Sequence, residues 1–230
     1  MCRHIAWLGA PRSVGGLVLE PEHSLLVQSY RPRRQRHGRI NADGWGVGFY
    51  SPDRTEPARW RSNRPLWADR SFASVAPVIV SGCFLAAVRS ASAGMPMDET
   101  AVAPFQSGQW LMSHNGFVDR AVLGPQARAE SMCDAAQLAA YVFEAGPEKI
   151  GSIVADIGTR DPLARLNVLL TDGSQILATR WNDTLSVLRT PAGVVVPSEP
   201  FDDDPGWQDV PDHHLVSVVG AEITVTALEV

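Results

Sequence analysis

The chain has 230 residues, 45% hydrophobic and 20% charged, with a formal net charge of -5 at neutral pH. That composition supplies a sizeable core and fits one domain over 1–230, while the acidic balance excludes a nucleic-acid footprint over the whole molecule. No apolar run approaches the ~18 residues that cross a bilayer, and the first residues lack the basic-then-apolar order of a signal peptide.

Residues 2–9 (CRHIAWLG) read as a strand closed by a Gly-Ala-Pro break. Residues 21–30 read as a helix opened by Pro21. The basic stretch at 30–39 follows, short and bounded by turn residues, and reads as a solvated loop. In 41–50 (NADGWGVGFY), Gly44, Gly46 and Gly48 alternate with Trp45, Val47 and Phe49. A strand with one face stripped of side chains predicts close approach of another backbone or a ligand. Residues 66–79 read as a helix, 81–92 as a strand ending at Arg89, and 108–119 as a strand running into a tight Asn-Gly turn. Residues 131–146 form a clear helical pattern closed by Gly146 and Pro147, with a second helix over 147–158. The rest is β-rich: strands at 164–173, 175–183, 184–190 and 193–200, an acidic loop at 202–214, and two closing strands. Strands in runs with helices grouped between them predict an α+β fold with antiparallel sheets.

Cys2, Cys83 and Cys133 show no CxxC spacing, so neither a disulfide framework nor a zinc site is expected. A free thiol fits a reducing cytoplasm. Cys2 is either a structural residue or, once Met1 is removed, a nucleophile that carries its own base. An α-amine titrates near ~7.7–8.0, so at neutral pH it can take the thiol proton and return it to a leaving nitrogen. Asn115 and Gly116 read as a hairpin turn, or as two N–H donors to a developing oxyanion. Arg89 is either solvated or a bidentate clamp for a carboxylate. Asp134 is either a helix N-terminal acid or a partner for an ammonium group.

These residues form an ordered set: Cys2, N-x-D-G-W-G, V-R-x-A-S, H-N-G and C-D-A-A-x-L. In that order the chain resembles the class II, N-terminal-cysteine glutamine amidotransferases of the Ntn-hydrolase superfamily. The matched segments run from Cys2 to about Leu138. Arg3 stands where the family has glycine, and "RSASAG" and "DAAQ" replace the family's Arg-x-Ala-Thr-His-Gly and Asp-Ser-Glu. The resemblance implies a four-layer αββα sandwich. It implies Cys2, Asn115 and Gly116 as catalytic residues, Arg89, His114 and Asp134 as binders of a small-molecule γ-glutamyl substrate, and no metal or organic cofactor. Those departures, with the acidic loop, match a hydrolytic branch of the family. At 230 residues the hydrolase domain fills the chain, so no fused synthase is expected, and a plain amidohydrolase is the simpler reading. A glutaminase subunit feeding a separate synthase and a non-catalytic binding protein are the alternatives. In the hydrolytic branch the rest of the substrate carries a quaternary ammonium, for which Trp207 and the run Asp202 to Asp204 are candidates; Arg31 to Arg36 are candidates for a substrate carboxylate.

Overall fold

The computed structural model describes residues 2–229. Its strands are β1 (Arg3–Ser13), β2 (Trp45–Phe49), β3 (Ala58–Ser62), β4 (Val80–Val88), β5 (Phe105–Ser107), β6 (Trp110–Phe117), β7 (Arg165–Thr171), β8 (Gln175–Arg180), β9 (Ser186–Thr190), β10 (Gly193–Pro197), β11 (Gln208–Asp209), β12 (His214–Val219) and β13 (Glu222–Ala227). They form a seven-stranded sheet in the order β11-β9-β10-β1-β4-β2-β3 and a six-stranded sheet in the order β13-β12-β8-β7-β6-β5. Neighbours pair antiparallel throughout.

Strand alternation builds the layers. In β1, Ala6 and Leu8 face the second sheet, in a core with Leu169 of β7, Ala178 of β8 and Val216 of β12. Ile5 and Trp7 face the other way, onto Leu17, Leu25 and Phe72 from short helices at 15–18, 25–28 and 70–75. Leu166, Val168 and Leu170 of β7 pack against the helices Asp134–Ala145 and Ile150–Arg160. Three apolar layers between four layers of backbone give the expected αββα sandwich. Burying each large aliphatic side chain stabilises it by about 1.5–3 kcal/mol before entropy is counted. No helix among the described residues is long and apolar enough to cross a membrane.

Several local expectations change. The Gly-Ala-Pro break does not end β1; the strand runs to Ser13 through a register shift between Leu8 and Arg12. The helix predicted over 21–30 is a single turn, Leu25–Gln28, capped by Ser24 and closed before Pro32, which disfavours helical backbone ahead of it. The helix predicted over 66–79 splits at Asp69, whose carboxylate caps Arg70–Val75 through Phe72 N at 3.0 Å. Asn115 and Gly116 make no turn. Both lie inside β6, paired with Asn167 and Leu166 of β7, because sheet pairing overrides the local turn propensity. The glycine face of β2 is used as expected: a Cβ on Gly46 would run into the Ala103 carbonyl.

Candidate active site

Cys2 immediately precedes β1, a central strand of the seven-stranded sheet. The register that pairs Arg3 with Val88 sets Cys2 beside Arg89, one residue past β4. Both line a cleft at the open end of the two sheets, together with His114, Gly116 and Asp134. Of the six site residues expected from the sequence, five therefore share one cavity.

Arg89 is only 7% exposed, yet among the described residues it forms no ion pair. Its guanidinium makes one long contact, Nη1 to the Asp43 carbonyl at 3.5 Å. The backbone around it is clamped: Arg89 N donates to Gly44 O, Asp43 N donates to Arg89 O, and the Asp43 carboxylate accepts from Ala91 N at 2.8 Å. The Asn-Ala-Asp-Gly stretch thus braces the arginine, a role its turn-like composition does not announce. A buried guanidinium without a counter-charge is costly, and an anionic ligand removes that cost.

Asp134 opens its helix and accepts from Val118 N at 3.3 Å. His114 binds the Arg165 carbonyl through Nε2 at 2.8 Å, which requires the proton on that nitrogen and leaves Nδ1 as an acceptor. Burial lowers its pKa despite the nearby Asp134 carboxylate. His4, beside Cys2, contacts Ser113 through Nδ1 at 3.2 Å, and burial holds its pKa well below the usual histidine value. Burial biases both imidazoles toward the neutral form in the fold. The unfolded chain then takes up protons that the folded chain refuses as pH falls from about 6.5, so stability present above that value is lost below it. Urea unfolding between about pH 7.5 and 5.5 is expected to show a loss of up to about 1.4 kcal/mol per pH unit for each imidazole. His4→Gln flattens this slope; an unchanged slope contradicts the assignment.

Asn115 lies behind the cleft wall. It is fully buried, and Nδ2 donates to Ser198 Oγ at 3.4 Å while Oδ1 has no hydrogen-bond partner. Gly116 lines the cleft, and a Cβ there would collide with the Arg165 carbonyl of β7 and crowd the His114 ring. Gly116→Ala is expected to destabilise the fold by about 3 kcal/mol or more, read as a drop in the urea midpoint. Unchanged stability would mean that β6 and β7 do not approach this closely.

The opposite wall, Ala101 to Ala103, was not legible in the sequence. It is fixed by a three-residue ion cluster: Glu130 binds Arg59 at 2.7 Å and Arg61 at 2.9 Å, and the two arginines also donate to the Pro104 and Val102 carbonyls. Cys133 also lines the cleft, with its thiol directed to Ala101 O at 3.7 Å and its pKa raised by burial. Cys83 lies between the sheets against Thr171 Oγ1 at 3.1 Å, and burial pushes its pKa up to about 12. Neither thiol is an activated nucleophile. Trp207 and Asp202 to Asp204 line a separate surface cleft. There Arg33 pairs with Asp203 at 2.9 Å, and Trp207 Nε1 donates to Asp202 at 2.6 Å. Arg34 pairs with Asp209 at 2.6 Å. Among the described residues no cluster of three His, Cys, Asp or Glu side chains is placed to hold a metal ion.

No protein-family model matches the chain. The γ-glutamyl-hercynylcysteine sulfoxide hydrolase of Mycolicibacterium smegmatis is 60% identical over 228 residues, covering 99% of this chain and all of that protein. Among solved structures, a class II glutamine aminotransferase domain protein of Silicibacter pomeroyi covers 99% of this chain and 100% of its own, with a TM-score of 0.69 and 20% identity. The glutamine phosphoribosylpyrophosphate amidotransferase of Bacillus subtilis covers 100% of this chain with a TM-score of 0.73 at 13% identity; the match spans 49% of that chain. At these identities the two structures show a shared fold.

Proposed function

The chain belongs to the γ-glutamyl-hercynylcysteine sulfoxide hydrolase family, and from that premise we propose that it cleaves the γ-glutamyl amide of this substrate, releasing glutamate and hercynylcysteine sulfoxide in ergothioneine biosynthesis. The observation that carries the reading is Arg89, a buried guanidinium without an ion pair in the same cleft as Cys2. It suits the α-carboxylate of a γ-glutamyl group, with Asp134 and the Nδ1 lone pair of His114 available to its α-ammonium.

In this reading Met1, which lies outside the described residues, is removed and Cys2 becomes the chain start. The Cys2 thiol adds to the γ-carbonyl while its proton passes to the α-amine. The Gly116 N–H, at the cleft wall, holds the oxyanion, and Asn115, buried behind it, joins through the Nδ2 proton not given to Ser198 Oγ; losing one donor typically costs ~10²–10³ in rate. The carbon–nitrogen bond then breaks as the α-amine protonates the leaving nitrogen, giving a γ-glutamyl thioester. Water, deprotonated by the same amine, attacks the thioester and frees glutamate and the thiol. Arg89, His114 and Asp134 grip groups that do not react, so their contribution is orientation.

Glutamate release from γ-glutamyl-hercynylcysteine sulfoxide, compared with release from glutamine, tests the reading. A strong preference for the former is expected. Equal or better use of glutamine would make the chain a glutaminase.

A further inference from the structure

The cleft wall accounts for one unpaired buried guanidinium, and a second stands directly beside the nucleophile. Arg3 is fully buried, and among the described residues it too forms no ion pair. Its hydrogen bonds go to neutral groups: Nε to Gln35 Oε1 at 3.1 Å and Nη1 to Thr184 Oγ1 at 3.3 Å. Nη2 has no hydrogen-bond partner. The nearest acids stand beyond ion-pair distance. Glu199 accepts the backbone N–H groups of Arg33 and Arg34, both at 2.8 Å, and Asp183 accepts from Thr184 N at 2.8 Å through Oδ1 while its buried Oδ2 has no hydrogen-bond partner.

The geometry of the guanidinium gives this pattern a meaning. Nε and Nη2 form one edge of the fork, the edge a carboxylate grips with both oxygens. In Arg3 that edge holds a single amide oxygen, from Gln35, and an unpartnered second donor. Gln35 belongs to the segment between the helix at 25–28 and β2, which also reaches the cleft wall, where a Cβ on Gly38 would stand 4.0 Å from Ser90 Oγ. On its far side Arg3 joins the oxyanion region: Thr184 Oγ1 donates to Ser198 O at 2.8 Å, and Ser198 Oγ contacts Asn115. Arg89 thus lines the cleft with Cys2 and Asp134, while Arg3, next to Cys2 in the chain, lies fully buried beneath the half-buried Gln35 and connects to Asn115 through Thr184 and Ser198.

We propose that Arg3 selects the leaving group, by taking the carboxylate that an amino-acid leaving group carries on the carbon next to the scissile nitrogen. The proposal rests on the γ-glutamyl amidohydrolase reading and deepens it. Gln35 yields its place on the Nε–Nη2 edge to that carboxylate, exchanging a neutral acceptor for a charged, two-point one. An ordinary glutamine, whose leaving group is ammonia, offers nothing to this edge.

The test uses γ-glutamylglycine and γ-glutamylmethylamide, which differ in the leaving-group carboxylate. The wild type is expected to favour γ-glutamylglycine in kcat/KM by roughly 10- to 150-fold, the usual range for hydrogen bonds to a charged group. Arg3→Gln brings the preference to within about 3-fold, and Arg3→Lys, which keeps the charge without the fork, leaves an intermediate value. Should Arg3→Gln not fold, the Arg3→Lys ratio alone decides, and an unchanged ratio overturns the proposal. A structural role for Arg3 lowers both activities together and preserves the preference, which also overturns it. A wild type that uses both probes equally sinks the proposal but leaves the amidohydrolase reading intact. A wild type that releases no glutamate from either probe or from γ-glutamyl-hercynylcysteine sulfoxide sinks both.

Discussion

Cys2→Ala removes turnover and leaves the fold in place. Loss of a covalent nucleophile is expected to lower kcat by roughly 10⁴–10⁶-fold, because the oxyanion donors and binding residues alone recover little of the two-step route. The residue is half-buried and precedes the first strand, so one lost sulfur shifts the melting temperature by no more than about 3 °C. Substrate binding survives in this variant, since Arg89, His114 and Asp134 are untouched, and calorimetry with γ-glutamyl-hercynylcysteine sulfoxide reads it. Retained turnover would move the nucleophile elsewhere. Cys133 is the other thiol in the cleft, but burial keeps it protonated.

Arg89→Met separates binding from stability in an unusual direction. Methionine keeps an apolar stem and deletes the charge. For a clamp on the substrate carboxylate, the loss is expected to raise KM by roughly 10²–10³-fold, the usual consequence of removing one partner of a desolvated charge pair. Most buried ion-pair deletions also weaken the fold, because they orphan the partner. Here no partner exists among the described residues, and the guanidinium sits 7% exposed without compensation. The variant should therefore be as stable as the wild type or more so, measured by urea unfolding without substrate. A large loss of stability with unchanged KM would assign Arg89 to the scaffold.

The order of Cys2, Arg89, Asn115, Gly116 and Asp134 along the chain carries the family resemblance, and it is that resemblance that implies the sandwich and four members of the cleft wall. Gly46 and its neighbours announced a close approach because a strand rarely gives up one face without cause. Local signals failed where long-range contacts decide. Asn-Gly at 115–116 carries a strong hairpin signal, yet β7 holds both residues in a ladder. The run at 202–204 reads as free acid, but Arg33 lies 170 positions away in sequence and pairs with it in space. The polar network under Cys2 was equally hidden. Arg3 meets Thr184 across 181 positions, and Glu199 reaches back to Arg33 across 166. No periodicity records such contacts. The departure from the family's glycine at position 3 was visible, but its meaning needed the hydrogen-bond inventory of the guanidinium.

The central claim is that one residue, Cys2, serves as nucleophile and base. The most direct measurement is mass mapping of active protein quenched in acid during turnover of γ-glutamyl-hercynylcysteine sulfoxide. The expected product is an N-terminal peptide that begins at Cys2 and carries a γ-glutamyl group as a thioester on that sulfur. Fully active protein that retains Met1, or a glutamyl group on any other residue, would contradict it.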